Sequence, residues 1–342
     1  MTGGFVALTG CQSKPTPSTS QTSPSSSVNQ PVIVLSTNQP APVPPQGFDL
    51  VRQETEKGKV DRVEYDAPAV AADLKRWMEI YTPPGYSNDK KYPVLYLIHG
   101  AGQNERAWVD SGHANVVLDN LIADRKIVPV IVVFPNGDAT VPGAGGGARG
   151  AAGAPNGPGA GPAGAAAAPG GAAGRGAGAR GGRGGGGFGG GMNFTAFEND
   201  LLKDLIPYVE SHYSAYSDSK HRALAGLSLG GMQTRTIAPA NTDKFSYIGV
   251  FSGGNIMPEN ITDMGTFKKN VKLVYMSFGS RESSAPRGGG TAPSGPEGIK
   301  LAADALTKSG IKSVYYVSPD SAHDFTSWKR SLFFFSQMLF RD

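Results

Sequence analysis

Among the polar residues of this 342-residue chain, one serine stands where an alcohol can become a nucleophile. Ser228 is centred in Gly226-Leu227-Ser228-Leu229-Gly230-Gly231, directly after the apolar run Arg222–Leu227 and before a stretch with helical spacing. A sharp strand-to-helix turn lifts such a hydroxyl above the end of a sheet and presses backbone segments together. Glycine is therefore wanted two residues to either side, at Gly226 and Gly230. The chemistry that fits is acyl transfer, in which the hydroxyl attacks a carbonyl while a neighbouring base takes its proton.

The base follows from chain order. A triad on a strand–turn–helix fold runs serine, acid, histidine. Of His99, His113, His212, His221 and His323, only His323 lies beyond Ser228. It follows the apolar run Ser313–Val317 and precedes a final helix, a loop position from which an imidazole can reach the serine. The acid must lie between the two, which admits Asp243, Glu259, Asp263, Glu282, Glu297, Asp304 and Asp320. Glu282, four residues past the strand-like Val271–Phe278, is the favoured candidate and Asp320 the second. A carboxylate at either place could orient the imidazole and stabilise the imidazolium. Asp304 falls on an amphipathic helix and reads as a solvated charge.

A third element is His99-Gly100-Ala101-Gly102, after the run Val94–Ile98. Small residues let backbone amides approach a developing oxyanion, and a missing donor costs about 10²–10³ in rate. The expected donors are the amide of Leu229 and that of Ala101 or Gly102. His99 is expected to brace this loop, and His212 and His221 to solvate a helix end or the following loop. Trp108, Phe325 and Trp328 are candidates for stacking an aromatic acyl group or a sugar, with core packing as the competing fate.

The elements that must position these groups alternate along the chain. Val60–Tyr65 and Trp77–Tyr81 read as opening strands. Val94–Ile98 and Val130–Phe134 are short apolar runs of the kind buried on both faces. Helical spacing follows over Ala114–Arg125. Thr195 with Glu198 suggests a capping box opening a helix through Val209. Strands at Ala223–Leu227, Tyr247–Phe251, Val271–Phe278 and Ser313–Val317 then alternate with helices at Gly230–Ala238, Glu297–Ser309 and from about Ser327. The pattern predicts an α/β fold, a mostly parallel central sheet with helices on both faces. Its chemistry belongs beyond the carboxyl ends of the strands.

Composition excludes several classes. One cysteine rules out a disulfide framework and a cysteine-built zinc site. No cofactor or metal is implied. Residues 142–191 hold 24 of the 48 glycines, no acidic residue and four arginines. Without those arginines the net charge of +4 falls to zero, so the folded part offers no basic face for nucleic acid. This Gly/Ala/Arg segment has no periodic apolar pattern and is expected to be a disordered insertion.

The N-terminus reads as an address. Leu8-Thr9-Gly10-Cys11 is similar to a bacterial lipobox, with Cys11 as the lipidated residue and residues 1–11 as a truncated signal segment. Residues 12–47 are Ser/Thr/Pro/Gln-rich and cannot bury a core. As a coil they would reach roughly 30–36 Å. The expected location is periplasmic, cell-surface or secreted, with the membrane contacted only through a lipid at Cys11. The remaining domain, residues 48–342 with the insertion, has about 245 residues of globular chain.

Several stretches together resemble the esterase D / carbohydrate esterase family 1 group: Tyr92–Gly100, Ala114–Ala123, Phe197–Pro207, His221–Gly231 and His323-Asp324-Phe325 with Trp328. The feruloyl esterase-like branch is the most similar. The resemblance implies an α/β-hydrolase fold with Ser228, Glu282 and His323 as triad. It also implies a carbohydrate-linked ester as substrate, feruloyl or acetyl esters of plant polysaccharides being the typical case. The branch commonly has Asp at the position of Glu282 and glycines at that of Ser321-Ala322. Two other expectations remain open, an acyltransferase with a sugar or lipid acceptor and a non-catalytic surface-anchored binding protein.

Overall fold

The computed structural model of the protein describes residues 1–4, 42–139, 194–282 and 294–341. Cys11, most of the 12–47 linker and the 142–191 insertion lie outside them. Eight strands form one sheet: β1 (Lys59–Asp66), β2 (Lys75–Thr82), β3 (Val94–Ile98), β4 (Ile131–Pro135), β5 (Arg222–Leu227), β6 (Tyr247–Phe251), β7 (Leu273–Gly279) and β8 (Ser313–Ser318). Their spatial order is β1-β2-β4-β3-β5-β6-β7-β8. The first two pairings are antiparallel and every pairing from β4 to β8 is parallel.

The continuous apolar runs are explained by helices on both faces. Alternate residues of β3 serve opposite cores, with Val94, Tyr96 and Ile98 in one cluster and Leu95 and Leu97 in the other. The first cluster is covered by α3 (Thr195–Asn199), a π-helical segment (Asp200–Leu205), α4 (Ile206–His212), α5 (Leu229–Ala240), α6 (Met264–Asn270) and α7 (Gly295–Lys308). The second is covered by α1 (Ala107–Asp110), α2 (Ala114–Ala123) and α8 (Phe325–Ser336). Each fully buried Leu, Ile or Phe on these faces stabilises by about 1.5–3 kcal/mol before entropy is counted. Two faces make a polar interruption at a strand centre costly, so the strands end where chemistry begins.

Local differences from the sequence reading have physical causes. Thr195 is the first helical residue, not the cap. Phe194 occupies the cap position without a side-chain bond. Glu198 is not free to reach back, because its Oε1 accepts a 2.7 Å bond from Nδ2 of Asn241, which caps the end of α5. The helix from Thr195 is also interrupted by the π segment, which directs Asp200 into the core. At its other end the domain starts earlier than residue 48. Pro44 is buried, and the Pro42 carbonyl accepts a 3.0 Å bond from the Tyr316 hydroxyl.

Candidate active site

Ser228 sits between β5 and α5 with φ 51° and ψ −112°, a conformation an L-residue adopts only under constraint. The constraint is visible on both sides. The Ser228 amide donates a 2.8 Å bond to the Phe251 carbonyl of β6. A Cβ on Gly226 would lie 2.4 Å from the Gly230 carbonyl carbon, and one on Gly230 would lie 2.5 Å from the His99 oxygen. Glycine at both places is thus a packing requirement of the turn, as the motif suggested.

The hydroxyl so presented meets a relay of side chains from three further loops. Ser228 Oγ is 2.8 Å from His323 Nε2, and His323 Nδ1 is 2.7 Å from Glu282 Oε2. Glu282, on the loop after β7, is buried. Its second oxygen, Oε1, accepts 2.6 Å and 2.7 Å bonds from the Ser252 hydroxyl and the Gly279 amide. Ser252 Oγ in turn accepts a 3.0 Å bond from Trp328 Nε1. With Nδ1–H donating to the carboxylate, Nε2 carries the lone pair that faces the serine. Asp320, the second acid candidate, does not join. It is exposed, and its carbonyl accepts from Arg281 on the neighbouring loop.

The loop after β3 runs beside this serine, since a Cβ on Gly100 would lie 3.3 Å from Ser228 Cβ. The Gly100 amide is taken by Gln103 Oε1 at 2.8 Å. Among the described residues, no backbone acceptor engages the amides of Ala101 or Gly102. Leu229, the first residue of α5, has no intrahelical acceptor for its amide either. Amides on the loop after β3 and at the start of α5 are thus left without a backbone acceptor beside Ser228.

His99 braces this loop. The Gly137 amide donates to His99 Nε2 at 2.9 Å, so the ring's proton is on Nδ1, 2.8 Å from the Gly100 carbonyl. Burial lowers the His99 pKa, in keeping with a neutral ring. His212 stacks on Tyr208, and His221 pairs with Asp218, both away from the serine relay.

Two of the three aromatic candidates for stacking take the competing fate and pack into the core. Trp108 is wholly buried, with its Nε1 bonded at 3.1 Å to the Ile98 carbonyl, and Trp328 is 5% exposed with its Nε1 on Ser252. An indole N–H needs an acceptor once buried, and each ring has found one, at the carboxyl end of β3 or on the loop after β6. They support the site from behind. Phe325 keeps part of its ring exposed and packs edge-on against both, at 5.9 Å from Trp108 and 5.1 Å from Trp328.

Sequence reasoning missed a second layer. Arg76 on β2 is buried, and its Nε is 3.0 Å from Asp200 Oδ2. Its Nη atoms donate to the carbonyls of Asn136 and Asp138, fixing the loop that also meets His99. Burial pushes the Asp200 carboxyl up to about 6, against the pull of Arg76 and of the Tyr65 hydroxyl 2.9 Å away. Ser252 was missed for a different reason. Nothing marks it before β6 and β7 are known to be neighbours. Among the described residues, no group of three or more His, Cys, Asp or Glu could hold a metal ion.

Comparison with known proteins places the chain. The Esterase family model matches residues 71–160 and 188–287. An endo-1,4-β-xylanase/feruloyl esterase of Xylanibacter ruminicola is 32% identical over 307 residues, which span 88% of this chain and 34% of that protein. Endo-1,4-β-xylanase Y of Acetivibrio thermocellus is 26% identical over 227 residues, 59% of this chain and 16% of that protein. The chain thus spans about a third or less of these relatives. In structure it is similar to a carbohydrate esterase family 1 ferulic acid esterase from Anaeromyces mucronatus, solved with ferulic acid. The TM-score is 0.61 at 20% identity, over 87% of this chain and 96% of that one. It is also similar to the feruloyl esterase module of Clostridium thermocellum solved with sinapinate, at TM-score 0.58 and 16% identity, over 90% and 96% of the two chains. These neighbours share the α/β-hydrolase fold.

Proposed function

The chain belongs to the Esterase family, and on that premise we propose that it is a serine carboxylesterase acting on feruloyl or acetyl esters of plant polysaccharides. The observation that carries the reading is the unbroken path Ser228 Oγ, His323 Nε2, His323 Nδ1, Glu282 Oε2, with links of 2.8 and 2.7 Å. The names of the relatives, a xylanase/feruloyl esterase and ferulic acid esterases, support the substrate class.

In the proposed reaction, Ser228 Oγ attacks the ester carbonyl carbon while its proton passes to His323 Nε2. Glu282 holds the imidazole and faces the imidazolium charge. The carbonyl oxygen becomes an oxyanion held by the amides of Leu229 and of Ala101 or Gly102. Collapse of this intermediate breaks the ester C–O bond. His323 gives its proton to the departing sugar oxygen, leaving an acyl group on Ser228. Water, deprotonated by the same imidazole, then attacks the acyl carbon and releases the acid.

The test compares release of ferulate from methyl ferulate with release of acetate from an acetylated xylo-oligosaccharide. Ser228→Ala is the control, expected to lower turnover by as much as about 10⁶. Ferulate release absent from the control makes the enzyme an aromatic-acid esterase, and acetate release alone makes it a deacetylase. A control retaining more than a few per cent of activity on either would remove Ser228 from the reaction.

A further inference from the structure

Buried arginines in this protein come with carboxylates. Arg76 holds Asp200, and Arg222 holds Glu210. Arg235, on the second turn of α5, is the departure. It is partly buried and its Nε is shut away from solvent. Among the described residues, neither that nitrogen nor the rest of the guanidinium has a hydrogen-bond or ion-pair partner. The segments outside the described residues offer no acidic side chain except Asp342 at the very end of the chain. Desolvation lowers the Arg235 pKa, with no opposing carboxylate. A guanidinium with one nitrogen withdrawn from water and no anion beside it carries a desolvation cost, which an external anion would offset.

Its position is set by glycines. Gly231 and Gly253 let α5 and the loop after β6 meet backbone to backbone, as a Cβ on Gly253 would lie 2.4 Å from the Gly231 carbonyl carbon. Gly254, at φ +102°, leaves the space over which the guanidinium lies. A Cβ there would stand 3.0 Å from Arg235 Nε and 3.2 Å from Cζ. Long side chains on a helix lean back towards its N-terminus, and for α5 that end is Ser228. Gly254 is three residues from Phe251, whose carbonyl accepts the Ser228 amide, so it lies within roughly 11 Å of that contact.

We infer that Arg235, laid over Gly254, is an anion subsite of the catalytic cleft that takes a carboxylate of the substrate. The planar fork of a guanidinium matches a carboxylate in two parallel bonds, which a lysine would not reproduce. Two sources share that chemistry, a uronic acid on the sugar side and a second carboxyl group on the acyl side. The inference rests on the reading of Ser228 as the ester-attacking group, and the experiment separates the two.

Binding is measured first, by calorimetry on the full chain carrying Ser228→Ala, so that turnover is not needed. D-glucuronate is compared with glucose, and succinate with succinamide. One acid should bind at least roughly tenfold more tightly than its neutral counterpart, the worth of a hydrogen bond to a charged group. Adding Arg235→Met should abolish that difference. A glucuronate preference assigns the sugar side, and a succinate preference the acyl side. No preference for either acid, or one that survives Arg235→Met, overturns the inference.

The melting temperature of Arg235→Met gives an independent readout. It should be unchanged or raised, because no partner is left behind. A fall of several degrees would mean that the guanidinium is structural and would also overturn the inference. Hydrolysis of 4-nitrophenyl acetate by the otherwise unaltered protein reports on the esterase reading alone. Its failure would leave the binding result to stand or fall by itself.

Discussion

The Ser252 hydroxyl donates a 2.6 Å hydrogen bond to Glu282 Oε1, the oxygen that does not face His323. Ser252 adopts φ +51° to do so, and its own amide is tied to the Ser277 carbonyl at 2.7 Å. A strained residue thus fixes the rotation of the carboxylate about its own axis. Removing the hydroxyl should lower kcat about tenfold, the worth of one hydrogen bond to a charged group. Ser252→Gly accepts the positive φ more readily than Ser252→Ala. Equal kcat losses in the two variants would therefore assign the effect to the hydroxyl, and activity within twofold of wild type in both would show that Ser252 does not position Glu282.

Glu282 spans two anchors, with one oxygen on Ser252 and Gly279 and the other on His323. Glu282→Asp shortens the side chain by one methylene, so one set of contacts must stretch. Misplacement by about 1 Å can cost on the order of 10² in rate. A fall in kcat of about 10–100-fold with little change in KM is expected. Full activity would mean that the loop after β7 moves freely enough to follow the shorter acid.

Gly230→Ala puts a Cβ within 2.5 Å of the His99 carbonyl oxygen and 2.7 Å of the Ile98 oxygen, both backbone atoms that cannot turn aside. Overpacking of this kind costs about 1–3 kcal/mol. Here it would also push the Gly100–Gly102 loop away from Ser228. Denaturant titration should report the stability loss, and turnover should fall further than the stability loss accounts for. A variant with wild-type stability would contradict the close approach.

Asp200 gives a pH dependence of stability with a definite sign. Its carboxyl is raised from 3.8 to about 6, chiefly by burial, so the folded protein keeps a proton that the unfolded chain releases earlier. Stability from this group is fully present below about pH 4 and is lost as pH rises through about 6. At about 1.4 kcal/mol per unit, the loss is roughly 3 kcal/mol. Urea titrations from pH 4 to 7 should show this decline in the wild type and a flatter curve in Asp200→Asn. Parallel curves would remove the contribution.

Much of the fold and site was legible because the chemistry depends on local pattern. The buried runs Val94–Ile98 and Tyr247–Phe251 appear as strands with the expected limits, since continuous apolar residues suit a sheet covered on both sides. The turn at Ser228 was legible because Gly226 answers a backbone clash with Gly230, four residues along the chain. His323 followed from chain order.

What the tertiary structure alone decided depends on neighbours distant in sequence. Glu282 rather than Asp320 faces the imidazole because the loop after β7 turns inward while Asp320 points to solvent. Trp108 and Trp328 lie behind the site because each indole N–H has an acceptor beneath it, at the end of β3 for Trp108 and on the loop after β6 for Trp328. Ser252 and Arg235 carry no motif at all. Their roles arise where β6 meets β7 and where α5 meets Gly254, and contacts made across that distance leave no periodic trace in the chain.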